Sequence, residues 1–294
     1  MGGSVILTPS ILPMKGDKHM SEKGYVNPQL LITPEALRAR LDDPSVCIVD
    51  TRPTHEYAAG HIPGAVHADL YISLNDTREA PFRAFMAALA YVLENRGVDT
   101  DRTIVFYENE SGMRAARGFW ICEYFGHQDV HVLDGGLRAW KEMGGPVTTA
   151  CPPPPKAKFQ GAPVPERHMD ADEIRGVLGR EDHTILDTRT DDEYYGRVAR
   201  AARAGAIPGA IHIEWTRNLD EKGRFRPADE LRAMYGEAGV TPDRQVVCYC
   251  QGGYRSAHAY LTLRLLGYPN VRNYIGSWRE WGDRTDLPIE VPKK

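Results

Sequence analysis

Val246-Val247-Cys248-Tyr249-Cys250-Gln251-Gly252-Gly253-Tyr254-Arg255-Ser256-Ala257-His258 is a short apolar, β-branched run ending at a cysteine, then two glycines, then a helix-compatible segment that continues to Leu266. The pattern predicts strand, tight loop, helix. A loop of this kind at a helix start turns several backbone N–H groups toward one point, with the positive end of the helix dipole behind them. A sulfur at the loop's first position faces that field, which favours thiolate over thiol and lowers the cysteine pKa. Arg255 adds a permanent cation whose planar donor fork suits an oxyanion. Most free cysteines are buried and structural, and Cys248, inside the apolar run, reads as one of these. Cys250 is followed by Gly-Gly and Arg, which a merely structural turn does not need, so it is the candidate nucleophile.

Around this stretch the chain repeats itself. Ile185-Leu186-Asp187-Thr188-Arg189 matches Ile48-Val49-Asp50-Thr51-Arg52 at an offset of 187 − 50 = 137, and Glu193-Tyr194 matches Glu56-Tyr57. Ala206-Ile207-Pro208-Gly209-Ala210 matches His61-Ile62-Pro63-Gly64-Ala65 at 145, so the second copy carries 145 − 137 = 8 extra residues, rich in arginine. Val247-Cys248-Tyr249 matches Val105-Phe106-Tyr107 at 142, and Gly276-Ser277-Trp278 with Trp281 matches Gly135-Gly136-Leu137 with Trp140 at 141. Two homologous domains are the simplest account.

Each copy alternates short strands and helices. In the first, Thr33-Pro34-Glu35 caps and opens a helix to about Leu41. Strands are expected at Cys47–Asp50, Thr103–Tyr107 and Val130–Leu133, and helices at Phe82–Asn95 and Ala115–Tyr124. The fold class is therefore α/β, each domain a mostly parallel sheet flanked by helices. Residues 1–24 read as a flexible leader in which Met20 is an alternative start to Met1, 25–145 as the first domain, 146–165 as a linker and 166–294 as the second domain. The linker contains Cys151-Pro152-Pro153-Pro154-Pro155, a stiff extended run that reads as a surface strap, with Cys151 incidental.

At 294 residues and 32.8 kDa the chain has room for two cores. A net charge of −4 with 26% charged residues gives no bias toward nucleic acid or a membrane surface, so small molecules or other proteins are the expected partners. Five cysteines in no regular framework argue for a reducing, cytoplasmic setting. No metal-ligand spacing appears and no cofactor is expected. His55, His61 and His67 recur every sixth residue, which lines up neither a helix nor a strand face, and they read as loop and surface histidines. No run is long and apolar enough to span a bilayer, and the Val5-Ile6-Leu7 patch lacks the basic start of a signal peptide.

Aligning the copies sets Cys250 on Glu108. The loop Glu108-Asn109-Glu110-Ser111-Gly112-Met113-Arg114 has carboxylates where the second copy has a thiol and glycine, and it is one residue longer. A carboxylate under converging amides is expected to be a fixed anion, which makes the first domain catalytically silent and a wall of the cleft between domains.

The Asp-x-Arg plus Glu-Tyr element, the Gly-His-Ile-Pro-Gly-Ala loop, the cysteine-centred loop and the closing Gly-Ser-Trp-x-x-Trp resemble the tandem-domain rhodanese family of thiosulfate and 3-mercaptopyruvate sulfurtransferases, over about residues 25 to 290. The resemblance implies that Cys250 becomes persulfidated and that the protein moves a sulfane sulfur from thiosulfate to cyanide or a thiol in a ping-pong reaction. A protein acceptor is equally compatible. Cys-Gln at the start of the loop and Arg-Ser at its end, with Ile213-Glu214-Trp215-Thr216, are most similar to bacterial thiosulfate-type members. Mercaptopyruvate members typically show Cys-Gly-Ser-Gly-Val-Thr-Ala, which this chain lacks, and mercaptopyruvate is the alternative donor. Ala206 stands where the family loop has histidine, a local variation.

On this reading the amides of Gln251, Gly252, Gly253, Tyr254, Arg255 and Ser256 bind the sulfur anion. Arg255 orients the loop or meets the donor's sulfonate. Asp187, Arg189 and Glu193 form an ion-pair set beneath it, and Trp215 either lines the pocket or packs in the core. The inserted Arg197, Arg200 and Arg203 fit two readings, a positive cleft mouth or a solvated helical face at i, i+3 and i+6. A rhodanese-like phosphatase or arsenate reductase is the runner-up enzyme class. Its loop resembles Cys-x5-Arg, whereas Cys250 to Arg255 leaves four residues between, a smaller ring that suits one sulfur better. A non-enzymatic sulfur carrier predicts degraded loops in both copies, and only the first is altered.

Overall fold

The computed structural model describes residues 22–293. In the first half, β1 (Leu31–Ile32), α1 (Pro34–Arg38), β2 (Val46–Asp50), α2 (Thr54–Ala59), β3 (Val66–His67), α3 (Glu79–Asn95), β4 (Thr103–Tyr107), α4 (Met113–Tyr124), β5 (Val130–Leu133) and α5 (Gly136–Glu142) follow one another. The sheet order is β1-β5-β4-β2-β3 with all neighbours parallel. Every residue of β4 is buried, as expected for a central strand covered on both faces. Thr33 caps α1 by accepting the Ala36 N–H at 3.2 Å.

The second half repeats the scheme with α6 (Ala171–Val177), β6 (His183–Asp187), α7 (Asp191–Tyr194), β7 (Ile211–His212), α8 (Ala228–Glu237), β8 (Gln245–Tyr249), α9 (Arg255–Leu265), β9 (Val271–Asn273) and α10 (Ser277–Trp281). Its sheet runs β7-β6-β8-β9, and the edge next to β9 carries only a bridge from His168 to Asn273. Equivalent residues do equivalent work. Asp50 pairs with Arg52 as Asp187 pairs with Arg189, both at 2.6 Å and both buried. Each arginine also donates to a glycine carbonyl, Gly60 or Gly205.

The copies are fused along α4 and α9. One apolar cluster runs from Phe106, Phe119 and Trp120 to Tyr260, Leu261 and Val246 without a break. Burial of that continuous surface is what holds the halves in register.

Three expectations need correction. The leader was expected to extend to residue 24, yet Lys23 is tied down: its ammonium reaches Asp134 and the Phe225 carbonyl, each at 2.8 Å, and its own carbonyl accepts the Ala228 N–H. Residues 1–21 of that leader, with Met20, lie outside the described residues. His61 is not a surface histidine, being 1% exposed. The Tyr57 ring is stacked between His61 at 3.8 Å and half-buried His67 at 4.8 Å, because the Gly60 turn folds the chain back and brings residues together that no single helix or strand period aligns. In the second copy Tyr194 stacks on His212 at 4.5 Å, while Ala206 keeps the backbone pairing of His61 without its ring. Finally, Arg197, Arg200 and Arg203 do not lie on a helix; the segment after α7 is irregular up to β7. Between residues 151 and 164 the chain has neither helix nor strand, and it is pinned to the first half by the Thr100 N–H on the Lys158 carbonyl and by Phe159, which is buried.

Candidate active site

Strand β8 delivers Cys250 to the start of a loop that ends as α9 begins at Arg255. The Cys250 amide donates to Ser277 Oγ at 3.0 Å and its carbonyl accepts the Trp278 N–H at 2.9 Å, so both backbone groups are held by the start of α10. The next amides turn inward: Gly252 N–H and Gly253 N–H point at Cys250 Sγ from 3.4 and 3.2 Å, and Ser256 Oγ lies 3.6 Å from it. Gly253 sits at φ +83°, and a Cβ there would meet Arg117 Nη1 at 2.6 Å and Ile275 Cα at 2.9 Å, so only glycine fits. Cys250 is 1% exposed, at the bottom of the loop.

Burial by itself opposes ionisation of Cys250. The positive charge of Arg255 and the hydrogen bonds from Gly252 and Ser256 outweigh it, and the thiol is pulled below its usual range. Cys248, two residues earlier in β8, has no such donors and burial pushes its thiol well up.

Beneath the loop, Arg255 grips Glu193 with both ends of its fork, at 2.6 and 2.9 Å. Burial pushes the Glu193 carboxyl up, but Arg255 and the Thr190 amide and hydroxyl bring it down to about 2. Asp187 holds Arg189 and accepts the Tyr249 hydroxyl at 2.5 Å, and Arg189 lies over the Trp278 ring at 4.5 Å. Gln251 turns outward, donating to the Arg200 carbonyl at 2.8 Å.

The inserted arginines divide. Arg200 comes 3.4 Å from Glu193 and is the one of the three beside the loop. Arg197 pairs with Asp192 at 2.6 Å. Arg203 donates to the carbonyls of Trp281, Gly282, Arg284 and Leu287 and so clamps the end of α10, which removes it from a cleft mouth. Trp215 is half-buried and meets the His258 ring edge-on at 5.0 Å.

The first copy packs against the loop. The Tyr254 hydroxyl donates to the carbonyls of Leu70 and Ile72, and the Tyr71 ring packs on Tyr254 at 4.6 Å. Glu108 occupies the place of Cys250 and accepts the N–H groups of Arg114 and Ala115 at 2.7 and 3.4 Å. It is not the fixed anion expected: burial exceeds the help of those amides and raises its carboxyl to about 7. Glu110 faces outward to Arg138.

Three residues beside the sulfur escaped the sequence reading. Ser277 was aligned with Gly136, and the change from glycine to a hydroxyl at a position with φ near +55° in both copies (+53° and +56°) was the available signal. Asn273 donates to the Gly253 carbonyl at 3.2 Å and accepts from Ser256 at 2.6 Å. Arg117, on α4, donates to the same carbonyl at 3.1 Å.

A family model described as "Rhodanese-like domain" matches residues 33–143 and 170–284. A thiosulfate sulfurtransferase of Azotobacter vinelandii is 35% identical, over 89% of this chain and 97% of its own. The sulfur carrier protein TtuD of Thermus thermophilus is 34% identical, over 90% of this chain and 98% of its own. Among solved structures, the anaerobic ergothioneine biosynthesis enzyme of Chlorobium limicola, in complex with trimethyl histidine, superposes with a TM-score of 0.83 at 25% identity, covering 92% of this chain and 72% of its own. A structure of EanB with ergothioneine covalently linked to a cysteine persulfide superposes at 0.80 with 27% identity, covering 91% and 71%.

Proposed function

Since this chain belongs to the rhodanese family, with two rhodanese-like domains in tandem, we propose that it is a sulfurtransferase that takes the sulfane sulfur of thiosulfate onto Cys250 and passes it to a thiophilic acceptor. The Cys250 thiolate attacks the outer sulfur of thiosulfate, the S–S bond breaks, and sulfite leaves with its electron pair. The Cys250 persulfide that remains is an anion at its outer sulfur, within reach of the same loop amides. An acceptor, cyanide or a thiol, then attacks the outer sulfur and releases the thiolate. Two half-reactions on one residue make the scheme ping-pong.

The observation that carries this reading is the pair of amides, Gly252 and Gly253, aimed at a cysteine with lowered pKa. Donors of that kind stabilise a buried sulfur anion before and after it is loaded. The Arg255–Glu193 pair fixes the start of α9, so those amides keep their aim. The similarity to a protein named as a sulfur carrier supports a protein thiol as an acceptor.

The mass of the protein after incubation with thiosulfate tests the assignment. A gain of about 32 Da, localised to the Cys250 peptide and absent from Cys250→Ser, is the expected result. Loading by 3-mercaptopyruvate alone would exchange the donor, and phosphatase turnover dependent on Cys250 without loading by either would replace the reaction class.

A further inference from the structure

Arg117 belongs to α4 of the copy whose loop carries Glu108 in place of Cys250, yet its guanidinium ends at the loop of the other copy. It is 0% exposed. One nitrogen, Nη1, donates to the Gly253 carbonyl, and Nε and Nη2 have no hydrogen-bond partner among the described residues. Its faces lie against the rings of Trp120 at 5.3 Å and Tyr254 at 4.9 Å. No carboxylate pairs with it among the described residues, although arginine keeps its charge in proteins and a buried cation without a counter-ion is strongly disfavoured.

Burial pulls this guanidinium below its usual range, and the two acidic groups that oppose the pull are the Tyr254 phenol and the Cys250 thiol. Burial raises the Tyr254 phenol to about 12, so it is neutral near pH 7. The sulfur of Cys250 is then the anion left to balance Arg117. The geometry agrees, since Arg117 and Asn273 together hold the carbonyl of Gly253, the residue whose own N–H points at the sulfur from 3.2 Å.

We propose that Arg117 is the buried counter-charge of the Cys250 sulfur anion, a positioning residue through which the copy with Glu108 in its loop makes the other copy's nucleophile competent. The inference rests on Cys250 being the sulfur-bearing residue. The groups that face Cys250 are Arg255 and Ser256 from α9, Tyr254 from the loop, Cys248 from β8, Ser277 from α10 and Arg117 from α4, with Glu193 and Asp187 behind Arg255. The only cations in that set are Arg255, which already has Glu193, and Arg117, which has no carboxylate.

The test is the rate of iodoacetamide alkylation at the Cys250 peptide, read by mass from about pH 5 to 10, in full-length wild type, Arg117→Met, Arg117→Gln and Arg117→Lys. Either neutral variant that folds, by circular dichroism, suffices: Arg117→Gln keeps a donor for the Gly253 carbonyl and Arg117→Met fills the space. The expected result is an alkylation midpoint raised by about one pH unit or more in the neutral variants, a roughly tenfold loss of thiolate below it, with Arg117→Lys close to wild type. A midpoint unmoved in a folded neutral variant, or moved equally by Arg117→Lys, overturns the proposal whatever happens to turnover. Sulfur loading of the wild type is measured alongside. If thiosulfate and mercaptopyruvate both fail to load Cys250, the functional reading falls, while the midpoints still decide the role of Arg117.

Discussion

Ser277 holds a backbone conformation that non-glycine residues avoid, at a cost of about 1 kcal/mol. Its hydroxyl accepts the Cys250 amide and donates to the Tyr274 carbonyl at 2.7 Å. Ser277→Gly relieves the strain but leaves the buried Cys250 amide unpaired, a loss of about 1–3 kcal/mol. The expected outcome is a melting temperature changed little and a sulfur-loading rate reduced about tenfold or more, read by thermal melting and by single-turnover mass measurements. Glu193 gives a second prediction. Its carboxyl is lowered from an ordinary 4.5 to about 2, so its contribution to stability is present above 4.5 and is lost as pH falls through about 2. Glu193→Gln removes that acid-side slope, on the order of 2–3 kcal/mol in urea unfolding, and slows loading by freeing Arg255. The loop around Cys250 was legible because residues adjacent in sequence build it. Arg117 was not, since nothing local to Ala115–Phe119 differs from a helix face packing in a core.

At the scale of elements, strand-loop-helix was readable from β-branched residues, paired glycines and the helix-compatible run, and β8 and α9 fall within a residue or two of expectation. The arginine insert shows where period alone fails. Its i, i+3, i+6 spacing fits a helix, but Gly196 and Gly205, at φ +72° and +116°, bracket a segment whose arginines are held by separate acceptors rather than along one face. Gly253→Ala tests the loop's dependence on its glycine. The added Cβ has no room beside Arg117 and Ile275, so stability should fall by about 2 kcal/mol or more, measured by urea midpoint. Sulfur loading should fall with it, as the amide at 253 loses its aim. Recovery of normal loading in that variant would show that Gly252 alone suffices.

For the whole molecule, duplication was plain in four paired motifs, whereas the way the copies dock could not be read, because aligning repeats compares them without placing one on the other. The docking has a pH signature. His258 and His168 are buried at the seam, the first bonding the Ser111 carbonyl at 2.9 Å and the second stacked on Phe82 at 4.0 Å. Burial lowers them from 6.5 to about 4 and about 3. Between those values and 6.5 the unfolded chain takes up protons that the folded chain refuses, so stability declines as pH drops below 6.5. Urea midpoints should decrease across that window, and His258→Gln should flatten the slope by about 3 kcal/mol at most. An unchanged slope would place the proton uptake elsewhere.

The 1% exposure of Cys250 beside the open position of Cys151 has a practical corollary for anyone labelling this protein. Reagents sort thiols by access as well as by acidity, and the lowered thiol of Cys250 is the hidden one. A bulky maleimide dye will decorate the bystander on the proline strap first and spare the reactive sulfur, whereas a slim electrophile will find both. Tagging yield alone would therefore name the wrong cysteine.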